Sequence, residues 1–130
     1  MGTRSLTVFL DDEGKQLAVL YRQYDGYEEG HGRELREIVG KGKLVSGFTS
    51  DHARKPHGVF NGMGDLACRV IAGLKRKSRE PSTVPEDAIG GFYLLPLGSQ
   101  DLDEEYIYTL APSSDGTRVT ITVDNEGVIS

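Results

Sequence analysis

The sequence predicts an α+β fold, a two-layer sandwich in which two helices pack on one face of a mostly antiparallel sheet. Apolar residues alternate with polar ones along short segments at both ends of the chain, which is typical of half-buried strands. Between these segments, two stretches repeat apolar residues every three or four positions, as amphipathic helices do. Hairpin-type turns separate neighbouring strands and favour antiparallel pairing. The predicted order is ββ-α-loop-α-βββ.

The first two strands are predicted to form a hairpin. Ser5 to Leu10 alternates, and the acidic turn sequence at 11–14 ends in glycine, as hairpin turns often do. Gln16 to Tyr24 is predicted to be the second strand. It carries apolar residues on both faces, so we expect it to be central and covered at least in part on both sides.

The two helices differ in length. The first is short, has Leu35, Ile38 and Val39 on one face, and ends near Gly40. We expect its charged residues on the solvent side: Arg33, Glu34, Arg36 and Glu37. The second helix follows Asn61 and should be the main helix on the sheet, because it carries a continuous apolar stripe: Met63, Leu66, Ala67, Val70, Ile71 and Leu74.

The remaining segments are predicted as loops and strands. The stretch at 43–60 is expected to be a long irregular loop, and the stretch at 78–88 a polar linker. Strands are predicted at 92–95, 105–110 and 117–123, with a hairpin turn at 112–116.

The length of 130 residues predicts a single domain spanning 1–130. The net charge of −5 gives no general attraction to a phosphate backbone, so direct nucleic-acid binding is disfavoured. The basic segment at 75–79 is interpreted as a helix C-terminus, although a local basic patch is the alternative. Cys68 is the sole cysteine, so a reducing cytoplasm is the simplest compartment. No membrane contact and no cofactor are expected.

The strongest functional candidate is the segment Tyr21–Gly32, which packs three tyrosines, an arginine, an aspartate, a histidine and three glycines into twelve residues. Arginine can fork onto a carboxylate or phosphate, tyrosine rings can stack on a planar ligand, and glycines can leave bare N–H groups at a helix start. We therefore predict a ligand-binding role for Arg22, Tyr24, Asp25, Tyr27, Gly30, His31 and Gly32. The alternative is a structural corner in which these residues cap, turn and half-bury the chain.

Catalytic and metal-binding readings of the sequence are weak. His31, paired with Asp25 or Glu29, is the one candidate general base. The spacing of His52 and His57 matches no helical or hairpin metal motif, so no metal site is predicted. The segment Asn61–Ala67 contains G-x-G-x-x-A, but only Val59 and Phe60 precede it and no βαβ unit is evident, so a dinucleotide fingerprint is disfavoured. A non-enzymatic role is therefore favoured.

Several motifs resemble a family of small uncharacterised proteins of bacteriophages, prophages and some bacteria. They are the start Met-Gly-Thr-Arg-Ser, the segment Tyr21–Gly32, the segment Asn61–Ala67, and the tyrosine-containing segments at 90–94 and 105–108. The resemblance covers nearly the whole chain, and the tyrosine-glycine-histidine motif is its most specific part. Glu28 stands where many members are expected to have proline, which would loosen the turn. The resemblance implies a setting and no particular reaction.

The sequence therefore favours a phage-type accessory protein that acts by binding in the host cytoplasm, as an inhibitor of a host immune or defence protein. It would occlude that protein with an acidic, tyrosine-bearing surface. Two alternatives stay open: sequestration of a nucleotide-like small ligand, and a small hydrolase or transferase that uses His31. A homodimer is also expected, through edge-to-edge pairing of the strand at 117–123. Replacing Arg22 or Tyr27 by alanine should reduce binding more than stability.

Overall fold

The computed structural model describes residues 2–46, 58–77, 91–99 and 104–125. Seven strands, a π-helical turn and two α-helices lie in these ranges. In chain order they are β1 (Ser5–Leu10), β2 (Gln16–Arg22), the π-helical turn (Glu28–Gly32), α1 (Arg33–Val39), β3 (Lys43–Val45), β4 (Val59–Asn61), α2 (Gly62–Lys77), β5 (Phe92–Leu95), β6 (Tyr106–Pro112) and β7 (Val119–Asn125).

The main sheet has five strands in the order β5-β2-β1-β6-β7. The β1–β2, β2–β5 and β6–β7 pairs are antiparallel, whereas β1 and β6 run parallel. The predicted α+β class with a mostly antiparallel sheet is thus confirmed. β2 lies inside the sheet, as its two apolar faces indicate, but it ends at Arg22 rather than at Tyr24.

Both helices pack on one face of the sheet, as the apolar stripes predict. Because paired residues of neighbouring strands share a face, Phe9, Leu20 and Leu110 all point toward the helices. They form the main core with helix residues that are themselves fully buried, such as Leu35, Leu66, Val70 and Leu74. The opposite face of the sheet carries a second, smaller cluster: Leu6, Val8, Val19 and Tyr21.

The stretch at 43–60 differs from the predicted loop, because its two ends form the parallel strands β3 and β4. Left-handed turns at Gly42 (φ +62°) and Gly58 (φ +76°) bring the ends together, and the Lys43 N–H donates to the Gly58 carbonyl at 2.7 Å. Three-residue strands are too short for alternation to reveal them. His52 and His57 lie outside the described residues, as does the linker predicted at 78–88.

None of the helices in the described ranges combines the length and the apolar character that a membrane span requires.

Candidate functional site

Arg22, the first residue of the segment Arg22–Gly32, is buried and contacts several neighbouring groups. The side chain of Arg22 is 9% exposed, and it uses four of its five N–H donors. Nε donates to the Tyr24 carbonyl at 2.5 Å, and the two terminal nitrogens donate to the Glu34 carboxylate at 2.9 and 3.4 Å. Nη1 also donates to His31, and the guanidinium lies 4.7 Å from the Phe92 ring centroid.

His31 is fully buried beside Arg22, and both of its ring nitrogens have partners. Arg22 Nη1 lies 3.0 Å from Nδ1, and because a guanidinium only donates, Nδ1 accepts. The ring proton therefore sits on Nε2, which donates to Thr7 Oγ1 at 2.6 Å. Burial, and then the Arg22 charge, lower the pKa of His31 to about 3. The imidazole is neutral at physiological pH.

The same network holds in place the backbone of the segment Arg22–Gly32, which we call the corner. Three consecutive carbonyls, those of residues 24, 25 and 26, each accept a hydrogen bond from a different donor. These donors are Arg22 Nε, the His31 N–H at 2.9 Å and the Tyr108 hydroxyl at 2.6 Å. The pinned backbone keeps Asp25 in the left-handed region at φ +61°, which non-glycine residues seldom adopt.

Two glycines allow the close approaches that the corner requires. A Cβ at Gly26 would lie 2.8 Å from the Thr3 carbonyl oxygen and from Ser5 Cβ. A Cβ at Gly30 would lie 2.6 Å from the Asp25 carbonyl oxygen, the atom that accepts from His31. Neither site has room for a side chain, so the chain needs glycine at both positions.

The outer side of the corner is a ridge that we call the tyrosine ridge, consisting of Tyr24, Asp25, Tyr27, Glu28 and Glu29. Tyr24 is 47% exposed, and the three carboxylate residues are exposed as well. Tyr27 is half-buried and donates its hydroxyl to the Asp25 carboxylate at 3.2 Å. The Asp25 charge raises the pKa of the Tyr27 phenol. The ridge therefore presents aromatic surface and negative charge from a fixed backbone.

The structure separates the seven predicted ligand-binding residues. Arg22, His31 and Gly32 are buried, whereas Tyr24, Asp25 and Tyr27 belong to the tyrosine ridge. Gly30 is half-buried in the π-helical turn and belongs to neither group. The expectation of bare N–H groups at a helix start is not met, because the π-helical turn precedes α1. In that turn the N–H groups of residues 30 and 32 donate to the Tyr27 carbonyl, at 3.1 and 3.4 Å.

The candidate pair His31 and Asp25 is joined through the backbone. The His31 N–H donates to the Asp25 carbonyl oxygen, and the Asp25 carboxylate accepts from Tyr27 instead. A general base must reach a substrate proton, and a fully buried ring with both nitrogens engaged has no free lone pair to offer. The ring of His31 serves as packing as well, because it meets the Tyr108 ring edge-on at 4.8 Å.

Sequence reasoning missed the three partners that complete the network: Thr7, Glu34 and Tyr108. Glu34 was expected on the solvent side of α1, but its side chain is 23% exposed and pairs with Arg22. One signal pointed to such a partner, since Arg22 shares a strand face with Ala18 and Leu20. A cation on an apolar face needs a carboxylate when it is buried.

Grooves also lie elsewhere in the described part of the chain. One, of about 440 Å³, lies between the β1–β2 and β6–β7 turns. Another, of about 470 Å³, lies between α1 and α2, and its charged lining residues are Glu37, Arg69 and Arg76. The guanidinium of Arg69 already has partners within the protein, because it donates to the Val59 carbonyl at 2.5 Å and lies 4.4 Å from the Phe60 ring centroid. No group of three or more metal-ligating side chains occurs among the residues described.

In comparisons with known proteins, no family model, no curated protein and no solved structure matches the chain.

Proposed function

We propose that this protein acts by binding another protein, and that the tyrosine ridge is its contact surface. The observation that carries the proposal is the pinned corner. Three successive carbonyls are held by donors from β2, the π-helical turn and β6, and an aspartate is kept in a left-handed conformation at the tip. Backbone strain of this kind is concentrated at functional sites.

Rigidity favours binding, because a surface that is already ordered loses little conformational entropy when a partner docks. The buried network supplies that order beneath the tyrosine ridge. Tyrosine adds a large contact area with few rotatable bonds and a hydroxyl that can donate or accept. Tyr24, with nearly half of its surface exposed, is the residue best placed to be the central anchor.

The charge of the ridge indicates the chemistry of the partner. Asp25, Glu28 and Glu29 place three carboxylates around the two tyrosines, within a chain of net charge −5. Complementary potentials speed association and select partners, so the matching surface is rich in Lys and Arg. In the setting that the family resemblance implies, the partner is a host protein in the bacterial cytoplasm, and a phage-type accessory protein would inhibit it by occlusion.

The two alternative functions receive no comparable support. Sequestration of a nucleotide-like ligand relies on Arg22 as the anion-binding group, and four of its five N–H donors are already used inside the protein. The hydrolase or transferase relies on His31, whose ring is buried and fully engaged.

The proposal is tested by capture from a lysate of bacterial cells with the immobilised chain. The ridge variant carries Glu28→Gln and Glu29→Gln, and a second variant carries Tyr24→Ala. The matched control carries Asp12→Asn and Glu13→Gln, which change the net charge equally at the exposed β1–β2 turn. Captured proteins are identified and quantified by mass spectrometry.

We expect one protein to be retained in stoichiometric amount by the wild type and by the control. The ridge variants should retain at least about tenfold less of it, as the loss of a central contact typically produces. Two outcomes would overturn the proposal: no stoichiometric protein with the wild type, or equal retention by the ridge variants and the control.

A further inference from the structure

β5 is an edge strand of the main sheet and exposes apolar side chains. Within the described residues only β2 pairs with it. Tyr93 is 48% exposed, Leu94 is 60% exposed, and Leu97, just beyond the strand, is 60% exposed. Large apolar residues exposed together at a sheet edge are uncommon in monomers and often mark an interaction site.

The pairing register shows which backbone groups face outward from β5. The Gln23 N–H donates to the Gly91 carbonyl at 3.0 Å, which extends the β2–β5 register by one pair. In an antiparallel pair the hydrogen-bonded positions alternate, so residues 91, 93 and 95 bond toward β2. The N–H and C=O groups of Phe92 and Leu94 therefore point away from the sheet.

Within the described residues, the outer edge of β5 lacks the features that protect edge strands. None of the β5 residues is charged, and the only blocking residue in the described segment 91–99 is Pro96, immediately after the strand. The other edge strand, β7, is protected at its first residue. By the same alternation Val119 faces outward there, and its N–H already donates to the Gly42 carbonyl at 2.8 Å.

We propose that β5 pairs with β5 of a second copy of this chain, antiparallel across a two-fold axis centred on Tyr93. In this register Phe92 of each copy faces Leu94 of the other, and four hydrogen bonds satisfy every outward N–H and C=O of these two residues. A shift by two residues toward the C-terminal end would place Pro96, which has no N–H, in the ladder. The resulting sheet has ten strands.

Side chains and charge support the same arrangement. Tyr93 of each copy lies opposite its counterpart, on the face where its ring already lies 4.8 Å from the Tyr21 ring centroid. The two-fold axis thus aligns four tyrosine rings, and aromatic cross-strand pairs stabilise sheets. Two chains of net charge −5 repel, and an uncharged edge lets them approach without opposing like charges.

The size of the contact predicts a weak dimer. β5 has four residues, and the flanking exposed side chains on each copy are few. Such a contact buries on the order of 1,000 Å² or less in total, which is the size class of transient complexes. We expect a dissociation constant on the order of 10–100 µM, so that the association depends on concentration.

Cysteine cross-linking tests the register. In a Cys68→Ser background, Tyr93→Cys places two cysteines at a non-hydrogen-bonded position, where Cα atoms lie about 4.5 Å apart and a disulfide can form. The matched control is Thr122→Cys in the same background, which occupies the equivalent central position for a dimer through β7. We expect covalent dimers on mild oxidation with Tyr93→Cys and only background levels with Thr122→Cys.

Sedimentation equilibrium of the otherwise native chain provides the second measurement. The wild type should shift from monomer to dimer with increasing concentration. Leu94→Lys should weaken this association at least about tenfold, because it replaces the apolar side chain opposite Phe92 of the other copy by a charged one on the strand edge. Leu94 is mostly exposed, so the variant should keep the wild-type circular dichroism spectrum. A monomeric wild type at all concentrations would overturn the inference, as would cross-linking of Thr122→Cys in place of Tyr93→Cys. Either failure leaves the tyrosine ridge proposal untouched.

Discussion

The corner at residues 22–32 and the β5 edge differ in opposite ways between sequence and structure. In the sequence the corner is the more conspicuous candidate for binding, whereas in the structure the β5 edge leaves more groups available. The corner holds arginine, histidine, aspartate and three glycines, and its inner half has used nearly all of its hydrogen-bonding capacity. The β5 edge is the ordinary segment Phe-Tyr-Leu-Leu, and it offers outward backbone groups beside exposed side chains. Composition indicates which groups can bind, but only the partners inside the fold decide which remain available.

The largest expected effect comes from breaking the inner half of the corner. Arg22→Met leaves Glu34 and the His31 lone pair without their buried donor, so the free energy of unfolding should fall by about 3–5 kcal/mol. This replaces the expectation that a change at Arg22 affects binding more than stability. The control is Arg33→Met, whose exposed i,i+4 contact with Glu37 spans 3.8 Å and contributes under about 0.5 kcal/mol. Urea denaturation that separates the two variants by less than about 1 kcal/mol would contradict the assignment.

Next in size is the steric requirement at Gly30. Gly30→Ala forces a Cβ to within 2.6 Å of the Asp25 carbonyl oxygen and should cost about 1–3 kcal/mol by displacing the pinned backbone. Gly64→Ala is the matched control, since that glycine lies in α2 with open space around it. The control should stabilise the protein by up to about 1 kcal/mol. Thermal denaturation checks both, and equal melting temperatures would show that the corner tolerates a Cβ.

A pH effect of intermediate size should follow from His31. Its pKa is about 3 in the folded protein and near 6.5 when unfolded, so the unfolded chain binds more protons between these values. The stabilising contribution of neutral His31 to the free energy of unfolding is complete above about pH 6.5. It is lost as the pH falls, by up to about 1.4 kcal/mol per pH unit, so the loss at pH 5 is about 2 kcal/mol. Urea denaturation from pH 7.5 to 5 should show a shallower dependence for His31→Asn, and parallel curves would disprove the assignment.

The smallest effects on stability are expected on the exposed surfaces. Tyr24→Ala and Leu94→Ala remove side chains that are 47% and 60% exposed, so each should change the free energy of unfolding by under about 0.5 kcal/mol. Chemical denaturation measures this directly. A loss above about 2 kcal/mol in either variant would mean that the residue belongs to the core, and the contrast between the two regions would disappear.

Much of the fold was predictable because the relevant signals are local. The alternation in β1 and β6 and the apolar stripe of α2 each arise within a few residues, and each assigns one element and its buried face. The parallel pairing of β1 with β6 was not predictable, since it joins segments about a hundred residues apart. The β3–β4 pair was missed for a different reason, because three residues carry no readable period.

The candidate site was predictable in composition and location but not in function. The sequence by itself determined that the corner lies between β2 and α1, and that Arg22 shares a face with apolar residues. Only the tertiary structure decided that Arg22 and His31 face inward while Tyr24 and Asp25 face solvent. The physical reason is that the partners Thr7, Glu34 and Tyr108 come from β1, α1 and β6, which approach the corner only when the sheet and helices have assembled.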